Sequence, residues 1–331
     1  MPRFDRSTYD CHKVPAISVS QKTFRKLSVA SVISYVLLVV TGGAVRLTGS
    51  GLGCPDWPSC YQHQLTAAYS FNSWIEFGNR LVTVVVSIVS IVVFLAAMSL
   101  RPKRRDISWL STGLLTGLVA QIVLGGLVVL FKLNPYLVAL HFFLTLVVLG
   151  DAIVLYCVAD ATRVPHLPKP IVRDGIVWFV RLQFGVLIAV ILAGTIVTGS
   201  GPHAGNTDAR RIAIAFRDAA ELHSTIALFL IGVTLGGLFA FHLAGAPAGI
   251  QRRAQLVLEI YAAQGVLGYL QYSLHDNAAV VELHMIGATS AFASTFLLLL
   301  ACYGLGPAAS DRSSASRKQR PFADEHETLS A

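Results

Sequence analysis

Residues 120–127 read AQIVLGGL, and residues 263–270 read AQGVLGYL. Carrying that offset forward places His141, in ALHFFLTL, on His284, in ELHMIGAT. Nearer the start of each half, LTGSG from Leu47 matches VTGSG from Val197. Several matches in one order mark an internal duplication, which has to be recognised before any fold is assigned.

Each copy holds the same number of apolar stretches. A membrane-spanning helix needs roughly 20 predominantly apolar residues. Such stretches run near 26–46, 78–99, 109–131, 137–158, 176–198, 219–243, 254–273 and 280–303. Four helices per half is an even number, so both halves enter the membrane in the same direction. An axis along the membrane normal then relates them. The expected fold is an all-α integral membrane protein, its eight transmembrane helices forming two pseudo-symmetric four-helix bundles. The N-terminal half covers 26–160 and the C-terminal half 176–303. A polar segment, 1–25, precedes them, and a Ser-, Arg- and Glu-rich tail, 307–331, is expected to be disordered.

Composition agrees with lipid as the solvent. Only 13% of the 331 residues are charged and 54% are hydrophobic, against about 25% charged in soluble domains. The net charge of +8 is an orientation signal, not a nucleic-acid footprint. Arg3, Arg6, Lys13, Lys22, Arg25, Lys26, Arg101, Lys103, Arg104 and Arg105 fall on one side of the alternating helices. Arg163, Lys169, Arg173, Arg252, Arg253, Arg312, Arg317, Lys318 and Arg320 join them there. The other side keeps Arg46, Lys132, Arg210, Arg211 and Arg217. The positive-inside rule makes the first side cytoplasmic and puts both termini there. No short apolar core with a cleavage site precedes the first helix, so no removable signal peptide is expected. A transit peptide would be longer and poor in acids, which favours a bacterial plasma membrane.

Of ten histidines, His141, His223, His242 and His284 lie in spanning segments. His141, His223 and His284 sit near the outer ends of the fourth, sixth and eighth helices. Two imidazoles facing each other across a bundle can supply both axial ligands of a haem iron, and ionisable residues inside a membrane are functional by default. His242, at the inner end of the sixth helix, reads as snorkelling. His63, His203 and His275 fall in outer loops. Shifting His223 back by one repeat lands on Asn79, a poor iron ligand, so the first half breaks the symmetry. A haem there would rest on His141 alone, leaving a coordination position open for substrate chemistry; the same asparagine can equally mark a weakened site.

Glu76 lies one turn before Asn79 and faces the same way; Glu221, two residues before His223, is an approximate counterpart. Glu76 admits two readings, a proton relay or charge stabiliser beside a haem edge, or an interfacial carboxylate paired with Arg80. Arg46 and Arg80 at outer helix ends can contact haem propionates or anchor the interface. Cys54 and Cys60 share the first outer loop, where oxidising conditions permit a disulfide; the pair reads either as a structural staple or as a redox-labile ring. Cys11 lies on the inner side, with Cys157 and Cys302 near inner helix ends.

GGAVRLTGSGLGCPDWPSC from Gly42, IEFGNR from Ile75, ALHFF, VTGSGPHAG and the two ELH segments together resemble the haem A synthases, across about residues 25–303. The resemblance implies oxidation of the C8 methyl of haem O to a formyl group, through a geminal diol, giving haem A for cytochrome oxidases. It implies that His223 and His284 bind haem B in a cofactor half, and that His141 is a ligand in a substrate half. Glu76 would then stabilise a carbocation at the methyl, and Cys54 and Cys60 would be the family's outer-loop pair, associated with electron or haem transfer. A haem O synthase and an electron donor are the implied partners, with no nucleic acid. The chain departs from the pattern at Asn79, where histidine is usual. It also lacks the second cysteine pair that some members carry between the fifth and sixth helices. The same residues also admit a non-catalytic b-type membrane cytochrome or a haem-handling assembly factor.

Overall fold

A computed structural model describes residues 18–61, 64–67, 69–159 and 169–306. Cys11, His63 and the tail 307–331 lie outside the described residues, as does most of the segment 1–25. The described residues hold eight helices: α1 (Gln21–Leu47), α2 (Phe71–Met98), α3 (Arg105–Leu130), α4 (Pro135–Ala159), α5 (Asp174–Ser200), α6 (Phe216–Leu243), α7 (Ala248–Ser273) and α8 (Ala278–Cys302). Seven are long and apolar enough to cross a membrane, and the chain is a multi-pass membrane protein. The exception is α7. It has the length, but Gln251, Arg252, Arg253, Gln255 and Glu259 make its first half too polar for that criterion.

The helices close into two rings. α1 packs on α2, α2 on α3, α3 on α4 and α4 back on α1; α5 to α8 repeat the same circuit. The rings meet where α8 packs on α1 and α4, and where α4 touches α5. At this junction Phe292 and Phe296 of α8 stack at 5.9 Å, and Phe184 of α5 tilts against both. Gly150 of α4 faces the two α8 rings. α4 is accordingly the most enclosed of the apolar helices, 61% of its apolar window being buried.

The duplication is written into the turns as well. Lys132 and Leu133, between α3 and α4, adopt φ of 50° and 58°; His275 and Asp276, between α7 and α8, adopt 53° and 58°. Leu133 N–H donates to Val128 O, and Asp276 N–H donates to Gln271 O. Asn134 and Asn277 then accept from backbone N–H groups at the starts of α4 and α8. Non-glycine residues rarely enter this left-handed region, so two consecutive ones at matching places record common descent of the two turns.

The chain is inverted relative to a soluble protein. Leu81, Val84, Val85, Ile88, Ile91 and Leu95 of α2 point outward, while Ser28, Ser31, Ser34, Ser90, Ser111, Thr234, Thr289 and Thr295 are buried. Apolar burial does not drive helices together in lipid, so small residues that permit close approach take over. The α3–α4 seam is the clearest case. Gly113, Gly117, Gln121 and Gly125 recur every fourth residue on α3, opposite Asp151, Val148, Thr145 and His141 of α4. A methyl on Gly117 would stand 2.6 Å from Val148 Cγ2, on a side chain stiff at χ1. Gly117→Ala is therefore expected to destabilise the solubilised protein by about 1–3 kcal/mol. Gly78→Ala, with open space around it, should leave thermal unfolding unchanged.

Candidate functional site

α2, α4, α6 and α8 all begin at the end of the molecule that carries the CPDWPSC loop. Asn79, His141, His223 and His284 therefore lie at similar depth, roughly 9–12 Å along their helices from that end. Each histidine ring rests on a glycine of the preceding helix. Cβ atoms built on Gly125, Gly194 and Gly268 would lie 3.3, 3.2 and 3.3 Å from Cε1 of His141, His223 and His284 respectively. The missing methyl is what lets each imidazole bring Cε1 close to its neighbour. Sequence reading stopped at the histidines, although Gly125 and Gly268 are paired within the repeated motif itself.

The second half brings two imidazoles together. The ring centroids of His223 and His284 are 6.2 Å apart and their planes are inclined by 69°. Metal–imidazole bonds are about 2 Å and a ring centre lies about 1 Å further on, so two axial imidazoles on one iron stand about 6 Å apart. His223 Nδ1 donates to Val190 O at 2.9 Å. That bond fixes the tautomer and leaves Nε2 with its lone pair, the outer-shell arrangement usual for metal-binding histidines. Among the described residues no three His, Cys, Asp or Glu side chains cluster as ion ligands. A pair of imidazoles is incomplete for a bare metal ion but complete for porphyrin iron, which brings its own equatorial nitrogens. The residues present fit a haem.

The first half is built differently. Among the described residues its only imidazole at this depth is His141, whose Nδ1, like that of His284, is buried without a partner. Asn79, where the repeat calls for the opposing ring, accepts a hydrogen bond from Thr41 Oγ1 at 2.7 Å. The asparagine is thus tethered to α1.

Glu76 is buried, and both of its oxygens are engaged. Oε2 accepts the Cys54 N–H at 2.7 Å and Oε1 accepts from Arg80 at 2.9 Å. Arg80 also donates to the carbonyls of Ser59, Cys54 and Asp56. Glu76 and Arg80 together therefore clamp the loop in which Cys54 and Cys60 are disulfide-bonded. The clamp lowers Trp57 onto α3, where its indole packs on Gly126, the neighbour of the glycine under His141. α2 starts well before its apolar run because this loop covers its first turns. Glu221 is not an equivalent, since it is exposed and paired with Arg217 at 2.9 Å.

Arg46 donates from Nε to His203 O at 2.6 Å, His203 Nε2 bonds Asp276 O at 2.7 Å, and Gly51 N–H donates to Gly205 O. The Arg46 and Gly51 bonds tie the end of α1 and the turn after it to the loop after α5, and the Asp276 bond ties that loop to the α7–α8 turn, giving His203 a structural part. His242 is exposed in the last turn of α6. Cys157 and Cys302 are free and buried. Glu282, two residues before His284, has both oxygens buried without partners, lodged against Gly43 of α1. Sequence reading passed over it, together with Trp57, Gln121 and Asp151.

The loop clamp has a direct test. Glu76→Ala removes a charged acceptor from the Cys54 amide, a bond type worth about 1.5–3 kcal/mol. Hydrogen exchange at that amide should accelerate roughly tenfold or more, while α5–α8 amides keep their protection.

Comparison with known proteins gives this geometry a family. The model of the cytochrome oxidase assembly protein family, COX15-CtaA, matches residues 25–207, from α1 through the loop that follows α5. A protein of Alkalihalophilus pseudofirmus named heme A synthase is 27% identical over 180 residues, 54% of this chain and 61% of its own. Heme A synthases of Geobacillus kaustophilus and Geobacillus thermodenitrificans are 34% and 33% identical over 140 and 141 residues. Those matches cover 40% and 42% of this chain, and 41% and 44% of the relatives. In all three the match spans less than two thirds of the relative's length. The family match takes in more than half of the chain, including the loop clamp, Asn79, His141 and the glycine that seats His223: the chain belongs to the cytochrome oxidase assembly protein family.

Proposed function

We propose that this protein is a haem A synthase, an oxidoreductase that converts the C8 methyl of haem O to a formyl group. Residues 176–303 form the haem B half, with His223 and His284 as axial ligands. Residues 26–160 form the substrate half, with His141 holding haem O. The observation that carries the reading is the His223–His284 pair, 6.2 Å apart with one tautomer fixed, beside a sister bundle where the same depth offers a single imidazole. A haem with two axial imidazoles passes electrons without binding oxygen, whereas a single protein ligand leaves a reactive position.

Bound haem B would supply one-electron transfer; positioning falls to the protein. His141 sets the depth of the substrate, and the tethered Asn79 keeps the opposite face clear of an imidazole. Trp57 and the disulfide loop close the chamber, held there by Arg80. Glu76 supplies negative charge at the chamber edge as the methyl carbon becomes electron-poor, with Arg80 and the Cys54 amide fixing its orientation. Arg46, engaged through Nε among the described residues, has its terminal N–H groups for a propionate. With dioxygen as oxidant, each of two hydroxylations takes up one O2, two electrons and two protons and releases one water. The resulting geminal diol loses water to give the aldehyde. A reduced membrane donor supplies the electrons, and a haem O synthase supplies the substrate. Lys22, Arg25, Lys26, Arg101 and Arg253 lie at the end opposite the disulfide loop, which supports cytoplasmic termini.

Asn79 also favours a second reading, a b-type cytochrome or haem-handling assembly factor whose first half has lost its chemistry. Haem extraction from cells that supply haem O but make no haem A separates the two. Haem A or its hydroxylated precursor should appear and vanish with Glu76→Ala. Recovery of haem B alone, with haem A appearing only in Asn79→His, would establish the second reading. His223→Ala and His284→Ala should each abolish the low-spin haem spectrum.

A further inference from the structure

Asp151 is the feature of the first bundle that the proposed ligands and the loop clamp leave unused. Its Oδ2 is fully buried and without a hydrogen-bond partner, 3.1 Å from where a methyl on Gly113 would stand. Around it α3 presents Gly113, α1 presents Tyr35 within electrostatic reach, and α2 presents Ser90, which shares a hydrogen bond with the Tyr35 hydroxyl at 3.1 Å. No basic group of the described residues pairs with it. A carboxylate ion left in this position is costly, and residues of this kind inside membranes mark proton relays.

Among the described residues, three buried polar side-chain atoms of the first bundle lack partners, Asp151 Oδ2, Gln121 Oε1 and His141 Nδ1, the last matched by His284 Nδ1 in the second bundle. All three lie on the one α3–α4 seam. Gln121 is oriented within it, donating from Nε2 to Thr145 Oγ1 at 2.7 Å and to His141 O at 3.2 Å, so its carbonyl end is the open one. From Asp151 to Thr145 the rise along α4 is roughly 9 Å, the span of about three waters in a hydrogen-bonded file. Asp151 itself fills the notch at Gly113 and Val148 fills the one at Gly117, so such a file has to pass beside the Val148 side chain.

The duplication supplies a control within the molecule. The offset that maps His141 onto His284 and Gln121 onto Gln264 maps Asp151 onto Ser294. At this position the carboxyl occurs only in the half with a single imidazole; the unpartnered carboxyl of the second half, Glu282, lies elsewhere, two residues before His284 and against Gly43 of α1. Methyl hydroxylation takes up protons; electron transfer through a bis-imidazole site does not require them.

We propose that Asp151 is a proton-holding residue that feeds the His141 chamber through bridging water and Gln121, along the α3–α4 seam. The inference rests on the proposed function for its purpose, but not for its first test. Infrared spectra of the purified full chain in lipid nanodiscs should contain a protonated-carboxyl stretching band that shifts in deuterated water and disappears in Asp151→Asn. In cells supplied with haem O, Asp151→Asn should keep the wild-type haem content and spectrum yet form haem A roughly tenfold or more slowly, and Asp151→Glu should recover much of the rate. Absence of an exchangeable Asp151 band overturns the relay, as does a wild-type rate in Asp151→Asn. Loss of bound haem in both variants assigns Asp151 to packing and overturns it equally. If the wild-type chain forms no haem A, the proposed function fails while the infrared exchange still decides whether Asp151 holds a mobile proton.

Discussion

The seating of an imidazole on a glycine of the preceding helix is the contact on which both halves depend. Within a bilayer each helix satisfies its own backbone, and lipid offers no hydrophobic reward for burying one helix against another. Close approach has to come from small residues, and here those residues are also the floor of the candidate site. Gly125, Gly194 and Gly268 set the helix spacing and the ring orientation in one contact. The three histidines are consequently held by packing that cannot relax without moving a helix, which is the kind of support that an axial ligand needs.

The outer loop is tied to the same floor. Glu76 and Arg80, one turn apart on α2, bind the backbone of the CPDWPSC loop at Cys54, Asp56 and Ser59. Trp57 reaches down to Gly126, adjacent to the glycine under His141. The disulfide, the buried ion pair and the indole thus form one unit over the first bundle. A change at any of them reaches α3 beside His141 through direct contacts.

The two halves share helix order, turn conformation and the glycine pair Gly125 and Gly268, whereas Gly113, Gly117 and Gly126 of α3 correspond to Leu256, Ile260 and Tyr269 of α7. His223 faces His284, but Asn79 is bonded to Thr41 where a ring would stand; Asp151 lies where the second half has Ser294. The helix order survived the divergence of both packing and polar residues, and the polar differences are the ones that the proposed division between a cofactor half and a substrate half uses.

Much of this was legible in the sequence. Lipid imposes long apolar runs, so the helix ends could be placed to within two residues and the starts to within seven, and α7 was found as a helix although Arg252, Arg253 and Glu259 leave it less apolar than the other seven. The duplication is visible in short motifs that include Gly125 and Gly268, and these motifs paired His141 with His284. The sequence could not say which side chains meet. Glu76 carried two readings, and only the folded loop brings the Cys54 amide and Arg80 to its two oxygens. Arg80 was equally placed for a propionate or an interface until three carbonyls of one loop closed around it. Asp151 and Gln121 passed unnoticed because a single polar residue in an apolar run has no periodicity; their alignment exists only once α3 and α4 are packed. One-dimensional pattern therefore determined the helices, their repeat and the candidate ligands. Partner choice among charged and polar groups was decided by tertiary structure, because hydrogen bonds act over about 3 Å between residues that the chain separates by tens of positions.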